Sequence, residues 1–262
     1  MHKSGGVKSR NIGKIVDAKF YFAGGNARNF FERSIDDIIA EVRQALEDPG
    51  TLVLYLRGPG QIVTPYMETC MSERVPPEML PIILEYLKPL HPDSVRSFMR
   101  VVFFSWALVS DFRLLDSKSK SWWKWSCGPR MYVFSNSDPE PESCVPGHWL
   151  KPTVSPDSGY DAVYLGSADG RTESTITFVR ITHESNVQMD LQPMNDLIEK
   201  FESKLLFIPT RVRIFCVTAK NKLDNLFVGA ISNITALERF GWSGDEATIR
   251  GKIERYGIDY CI

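Results

Sequence analysis

Apolar positions recur along this chain with two different periods, and the change of period organises it. From residue 34 to 50 the spacing is helical: Ile35, Ile38, Ile39, Val42 and Leu46 follow Ser34, which is placed to cap a helix. Asp36 and Asp37 fall in its first turn, and Pro49 and Gly50 mark the stop. Just upstream, Phe20 to Ala23 reads as a short apolar strand ending at Gly24 and Gly25. "TLVLYL", from Thr51, reads as a short buried strand or a helical turn. Pro76, Pro77, Pro81 and Pro89 then punctuate a joint. Val95 to Leu115 is apolar almost all round, which predicts a helix packed on several sides.

Beyond residue 130 the pattern shortens. "MYVFS" at 131–135, "YDAVYLG" at 160–166, "TITFVRIT" at 175–182 and "VRIFCVTA" at 212–219 are β-branched or aromatic and bounded by turn residues, so they predict strands of one sheet. Between the last two, Met194, Leu197, Ile198 and Phe201 share a helical face behind Pro193. Ser243 and Glu246 match a capping box for a helix running to about Tyr256. The order helix, strand, strand, strand, helix, strand implies an α/β core with a mixed sheet flanked by helices.

Composition narrows the partners. The chain has 262 residues, 43% of them hydrophobic, enough for one large domain or two small ones. Lys plus Arg at 31 against Asp plus Glu at 32 leaves a formal charge of −1, so any polyanion site must be a local patch. The five cysteines form no C-x-x-C pair, which reads as free thiols in a reducing compartment. "VVFFSWALV", Val101 to Val109, is the most apolar run and falls short of the roughly 20 residues a membrane helix needs. The expectation is an intracellular chain with no secretory signal of its own and no membrane partner.

"FYFAGGNARNFFERSIDDIIAEVRQAL" resembles the segment that follows the ATPase core in Crinkler effectors and trypanosomal retrotransposon hot spot proteins, where an aromatic strand leads into a Gly-Gly-Ser-Ala-Arg-like motif and a helix; Asn26 stands in the Ser position. The later segments "FFSWALVSDF", "YDAVYL" and "FVRITHESNVQMDLQPMNDLIEKF" resemble the C-terminal part of the same architecture. The resemblance implies a small post-ATPase module over residues 1–75, a joint at 76–90, and a nuclease-like domain of the restriction-endonuclease, or PD-(D/E)XK, type over 91–262. No G-x-x-x-x-G-K-[ST] loop is present, so no ATPase activity is expected, and the chain reads as a fragment or truncated relative. By resemblance Arg28 would face nucleotide; its other reading is a structural arginine at a strand end. The setting implied is the inside of a host cell, including its nucleus. The partners implied are DNA or RNA, a second copy of the chain, or a host protein.

In such a nuclease, an Asp from one strand and an Asp or Glu from the next hold Mg²⁺, and a Lys two residues further along the same face helps activate water. Asp161 fits the first position, whereas Arg180 and Thr182 occupy the second and third. Arginine adds positive charge where a dication needs negative ligands, and Thr is no base at neutral pH. Mg²⁺ is therefore weakly supported, and Arg180 is free to pair with Asp161 or to grip a phosphate. Glu184, on the same face if the strand continues, and the adjacent His183 are substitutes within the segment; Glu140, Glu142, Asp169 and Glu173 are substitutes in loops. Two readings stay open: a working nuclease, and a module that binds or dimerises without cleaving.

A second feature is "SKSKSWWKWS", where Lys118, Lys120 and Lys124 interleave with Trp122, Trp123 and Trp125. Cations that track phosphates and aromatic faces that stack bases make a single-strand binding platform. The alternative is a surface hairpin whose tryptophans anchor it on the core. Arg211 and Arg213 alternate on a strand that could extend a basic face.

Overall fold

The computed structural model describes residues 16, 19–23, 26–47, 49–57, 64–75, 94–107, 113–125, 131–134, 145–153, 159–167, 174–204 and 206–258. The chain divides into two compact units, Met1–Ser105 and Trp106–Ile262. The joint expected at 76–90 lies outside the described residues.

The described part of the first unit is helical: α1 (Ala27–Glu32), α2 (Ile35–Ala45), α3 (Pro49–Arg57), α4 (Pro65–Arg74) and α5 (Ser94–Ala107), the last reaching across the division. Ser34 caps α2 as the pattern predicts, and Asp37 completes the box by accepting from the Ser34 backbone, so two otherwise unpaired amides are satisfied. Ile38, Val42 and Ala45 form its buried stripe. Asn26 caps α1 by accepting from the Asn29 amide. Thr64 caps α4 through the Met67 amide. Glu68 of α4 is buried and takes both Nε and Nη2 of Arg100 on α5.

Two expectations fail here. Residues 19–23 are helical rather than a strand, with Tyr21 and Phe22 packed edge-on and against Tyr66. A lone strand would leave its amides and carbonyls without partners, and a helix satisfies its own. The second is Pro49, expected only as a stop: it opens α3, where its fixed φ and missing N–H suit a first turn, and of the two readings of "TLVLYL" the helical one holds.

The second unit is built on an eight-stranded mixed sheet. Its strands are β1 (Arg113–Asp116), β2 (Trp122–Lys124), β3 (Met131–Phe134), β4 (His148–Pro152), β5 (Ala162–Ser167), β6 (Ser174–Ile181), β8 (Arg211–Ala219) and β10 (Glu254–Ile258), in the order β2-β1-β10-β8-β6-β5-β4-β3. β7 (Asn186–Asp190) and β9 (Phe227–Ser232) pair in parallel as a separate ribbon. β4, β5 and β6 form an antiparallel meander. Helix α6 (Gln192–Ser203) and the β7 segment then carry the chain over to β8, parallel to β6. The stripe Met194, Leu197, Ile198 and Phe201 is buried as predicted. It forms one core with Val163, Leu165, Ile176, Phe178, Ile214 and Cys216. On the opposite face, Trp123, Trp125, Trp149, Tyr164, Phe215 and Tyr256 make a run of ring contacts.

The α/β class with a mixed sheet is as expected, and the four predicted strands are present as β3, β5, β6 and β8. The long apolar helix is shorter: α5 ends at Ala107 and residues 113–116 are β1, with Leu114 fully buried. At the C-terminus the cap is Asp245 rather than Ser243. Helix α7 runs only from Glu246 to Lys252, and Glu254–Ile258 is a strand. Five residues of β10 pair with β8 and satisfy their backbone there, which local spacing does not reveal. No helix among the described residues is long and apolar enough to cross a membrane.

Candidate functional site: a charged row inside the sheet

Asp161 sits immediately before β5, and its amide donates to the Val179 carbonyl at 2.8 Å. Since Ala162 is registered on Val179, the antiparallel ladder sets Asp161 opposite Arg180. The Asp161 side chain has no solvent exposure; Oδ2 accepts the Ile181 amide at 2.8 Å and lies 3.6 Å from Nη1 of Arg180. The parallel register continues the row from Arg180 to Cys216 on β8 and to Arg255 on β10. Burial pushes the Cys216 thiol up to about 12; Arg180 pulls it down, Asp161 pushes it up and Arg255 pulls it down, each by less. The Cys216 thiol therefore stays protonated and inert at neutral pH. Arg255 also donates to the Leu226 carbonyl at 2.8 Å.

The rest of the expected site is arranged differently. Thr182 is buried at the end of β6: its amide donates to the Val217 carbonyl at 2.9 Å, and its hydroxyl accepts the Glu184 amide at 3.0 Å. That short turn ends the strand at Ile181, so Glu184 is not on the strand face with Arg180 but exposed in the turn. His183 is half-buried, and its carbonyl accepts from Lys222 Nζ at 3.0 Å. The loop carboxylates Glu140, Glu142, Asp169 and Glu173 lie outside the described residues. Among the described residues no group of three or more His, Cys, Asp or Glu side chains could hold a metal ion. Arg28 lies on α1, exposed and paired with Glu32 one turn on at 3.3 Å, which places it on a helix rather than at a strand end.

Chemically, Oδ2 of the Asp161 carboxylate is already engaged from within. A Mg²⁺ ligand must offer lone pairs beside room for waters and substrate phosphate. Asp161 instead faces an amide and a guanidinium, and a cation there would meet Arg180.

The tryptophan run divides by strand alternation. Trp123 stacks on Tyr256 at 5.7 Å, and Trp125 is buried edge-on to Trp149, Tyr164 and Phe215. Trp122 points the other way, 43% exposed, with Lys220 Nζ 5.3 Å from its ring centre. Lys118, Lys120 and Lys124 are exposed. Lys118 Nζ donates to the Gly251 carbonyl at 3.3 Å, and Lys120 pairs with Asp224. Arg213, proposed to extend a basic face, is bound through two nitrogens to Glu254 at 2.9 and 2.7 Å, while Arg211 is exposed. Sequence reasoning missed Lys220, Cys216 and Arg255. Lys220 ends the run after "VRIFCVTA" and so had a signal, whereas the other two had none without the register.

Comparison with protein-family models, with curated proteins and with solved structures yields no match.

Proposed function

We propose that residues 91–262 carry a nuclease-like domain of the restriction-endonuclease type whose metal site has been replaced by an ion pair, and that the domain works by binding rather than by cleavage. The observation that carries this is the Asp161 carboxylate, without solvent exposure and held by the Ile181 amide and Arg180. The strand order supports the nuclease-like part: an antiparallel β4-β5-β6 meander, a connection containing α6, and β8 parallel to β6. In that arrangement the first acidic position and the position across from it are Asp161 and Arg180, where a nuclease would present two carboxylates to one dication. Arg180 supplies the positive charge the metal would have supplied, without a water to activate. Thr182, in the lysine position, spends its hydroxyl on the following turn.

On this reading the chain is a Crinkler-like effector piece that acts inside a cell by holding a partner. Lacking the phosphate-binding loop, it turns over no ATP. The deciding experiment incubates the purified chain with single- and double-stranded DNA and RNA in Mg²⁺ and in Mn²⁺. No cleavage above the buffer control is expected. Cleavage abolished by Asp161→Asn would overturn the reading and return Asp161 to a metal site.

A further inference from the structure

The strand alternation that turns half-buried Trp123 and buried Trp125 onto the aromatic face leaves Trp122 on the face where β8 turns off the sheet. Leu115 of β1 pairs with Trp122 on one side and with Gly257 on the other, and Gly257 pairs with Thr218. With no side chain at 257, the 3₁₀ turn Lys220–Asn225 lies directly on the sheet: a Cβ there would come within 3.0 Å of the Lys220 Cα and 3.1 Å of Leu223 Cδ2. This close approach sets Lys220 over the Trp122 ring and brings Asp224 to Lys120. Two segments about 100 residues apart in sequence thus share one ridge.

We propose that this ridge binds single-stranded nucleic acid, with Trp122 stacking an unpaired base and Lys118, Lys120, Lys124, Lys220 and Lys222 following the phosphates. All five lysines are exposed; against them, among the described residues, stand Asp224 paired with Lys120, Asp116 on the same hairpin, and exposed Glu184, next to the His183 carbonyl that Lys222 binds. Asp116 is turned inward on the hairpin: it accepts the Lys118 amide at 2.8 Å and the Ser119 hydroxyl at 2.9 Å. The ridge therefore carries a local positive excess on a chain whose formal charge is −1. A field of that kind attracts a polyanion locally, and an exposed indole flanked by cations discriminates a strand with unpaired bases from one whose bases are stacked inside a duplex. The ridge uses neither Asp161 nor Arg180, so the proposal stands whether or not that pair cleaves.

The test measures fluorescence anisotropy of labelled oligo-dT, oligo-U and a matched duplex at several salt concentrations, with EDTA present so that cleavage cannot enter. Single strands are expected to bind more tightly than duplex, with oligo-dT against oligo-U separating DNA from RNA. Trp122→Ala should weaken binding roughly tenfold, the scale of one stacked base. Lys220→Ala with Lys222→Ala, both on an exposed turn, should shallow the slope of log affinity against log salt by about 1.4, since each single-strand phosphate contact contributes about 0.7. Circular dichroism melts establish that each variant is folded, and the lysine pair keeps the test decisive if Trp122→Ala is not. No single-strand binding, equal affinity for duplex, or binding indifferent to both variants overturns the proposal. Equal binding to phosphatidylserine vesicles that tracks the same lysines but not Trp122 also overturns it, and marks the ridge as a general anionic surface.

Discussion

Asp161 with Arg180 and Lys120 with Asp224 are both a carboxylate beside a cation, in the same unit of the molecule. The first pair has side-chain exposures of 0% and 10%, and the second has 56% for the lysine and 79% for the aspartate. Inside the sheet neither charge has water to fall back on, so each depends on the other, and the pair is a structural commitment. On the ridge, water and salt screen the attraction, and the same chemistry is worth little but stays exchangeable. Trp125 and Trp122 repeat the contrast three residues apart: one is buried at 6% exposure and the other is 43% exposed. Burial, not residue type, separates the charges and rings that hold the fold from those that face solvent.

The sharpest way to break that contrast is to remove one charge from each pair. Asp161→Ala should lower stability by about 3–5 kcal/mol, because Arg180 is left buried with its counter-charge gone. Asp224→Ala should stay within about 0.5 kcal/mol. Urea denaturation would show the first as a lower midpoint at an unchanged slope. Replacing both members, Asp161→Leu with Arg180→Met, should recover much of the loss. If Asp161→Ala is neutral or stabilising instead, the carboxylate is held for function, as strained active-site groups are.

The tryptophans sharpen the same comparison. Trp125→Ala should cost about 3–5 kcal/mol by opening a cavity against Trp149, Tyr164 and Phe215. Trp122→Ala should cost no more than about 0.5 kcal/mol as a surface change. Comparable losses in thermal melts would mean that Trp122 also anchors the hairpin.

Gly257→Ala tests the join between core and ridge. The added methyl meets backbone at Lys220, which does not yield easily, so about 1–3 kcal/mol of overpacking is expected. Oligo-dT affinity should fall with it as Lys220 leaves Trp122. Lost stability with unchanged binding would separate the two.

The smallest effect belongs to the cap of α7. Hydrogen bonds from Thr248, first its side chain and then its backbone, hold the Asp245 carboxyl below its ordinary value. A depressed carboxylate contributes stability above its unfolded value of about 3.9 and loses it as pH falls through the lower folded value. Wild type should therefore melt slightly above Asp245→Ala at neutral pH, and the gap should close in acid. A gap independent of pH would mean that the cap does not act through its charge.

Much of the local structure was legible because it is set by neighbours in the chain. Ser34 with Asp37 announces α2, and the stripe from Met194 to Phe201 announces α6. The β-branched runs announce β3, β5, β6 and β8. The strands that went unread are β1, β2, β4, β7, β9 and β10, of three to six residues each. Glu254–Ile258 contains a glycine and two charges and becomes a strand only because β8 and β1 offer it ladders on both sides. The placement of Asp161 across from Arg180 was legible from strand order. That Glu184 leaves the strand was not, because it depends on where the Thr182 hydroxyl finds a donor.

Taken alone, the sequence determined the α/β class and the order of the principal elements. It determined these because periodicity, caps and strand alternation act over a few residues. Only the tertiary structure decided that Oδ2 of Asp161 accepts an amide and faces a guanidinium, that Trp125 is buried with half-buried Trp123 beside it, and that Lys220 comes to rest over Trp122. Each of those depends on register between segments far apart in the chain. Their cost is loop closure and their reward is burial, a balance no local pattern records.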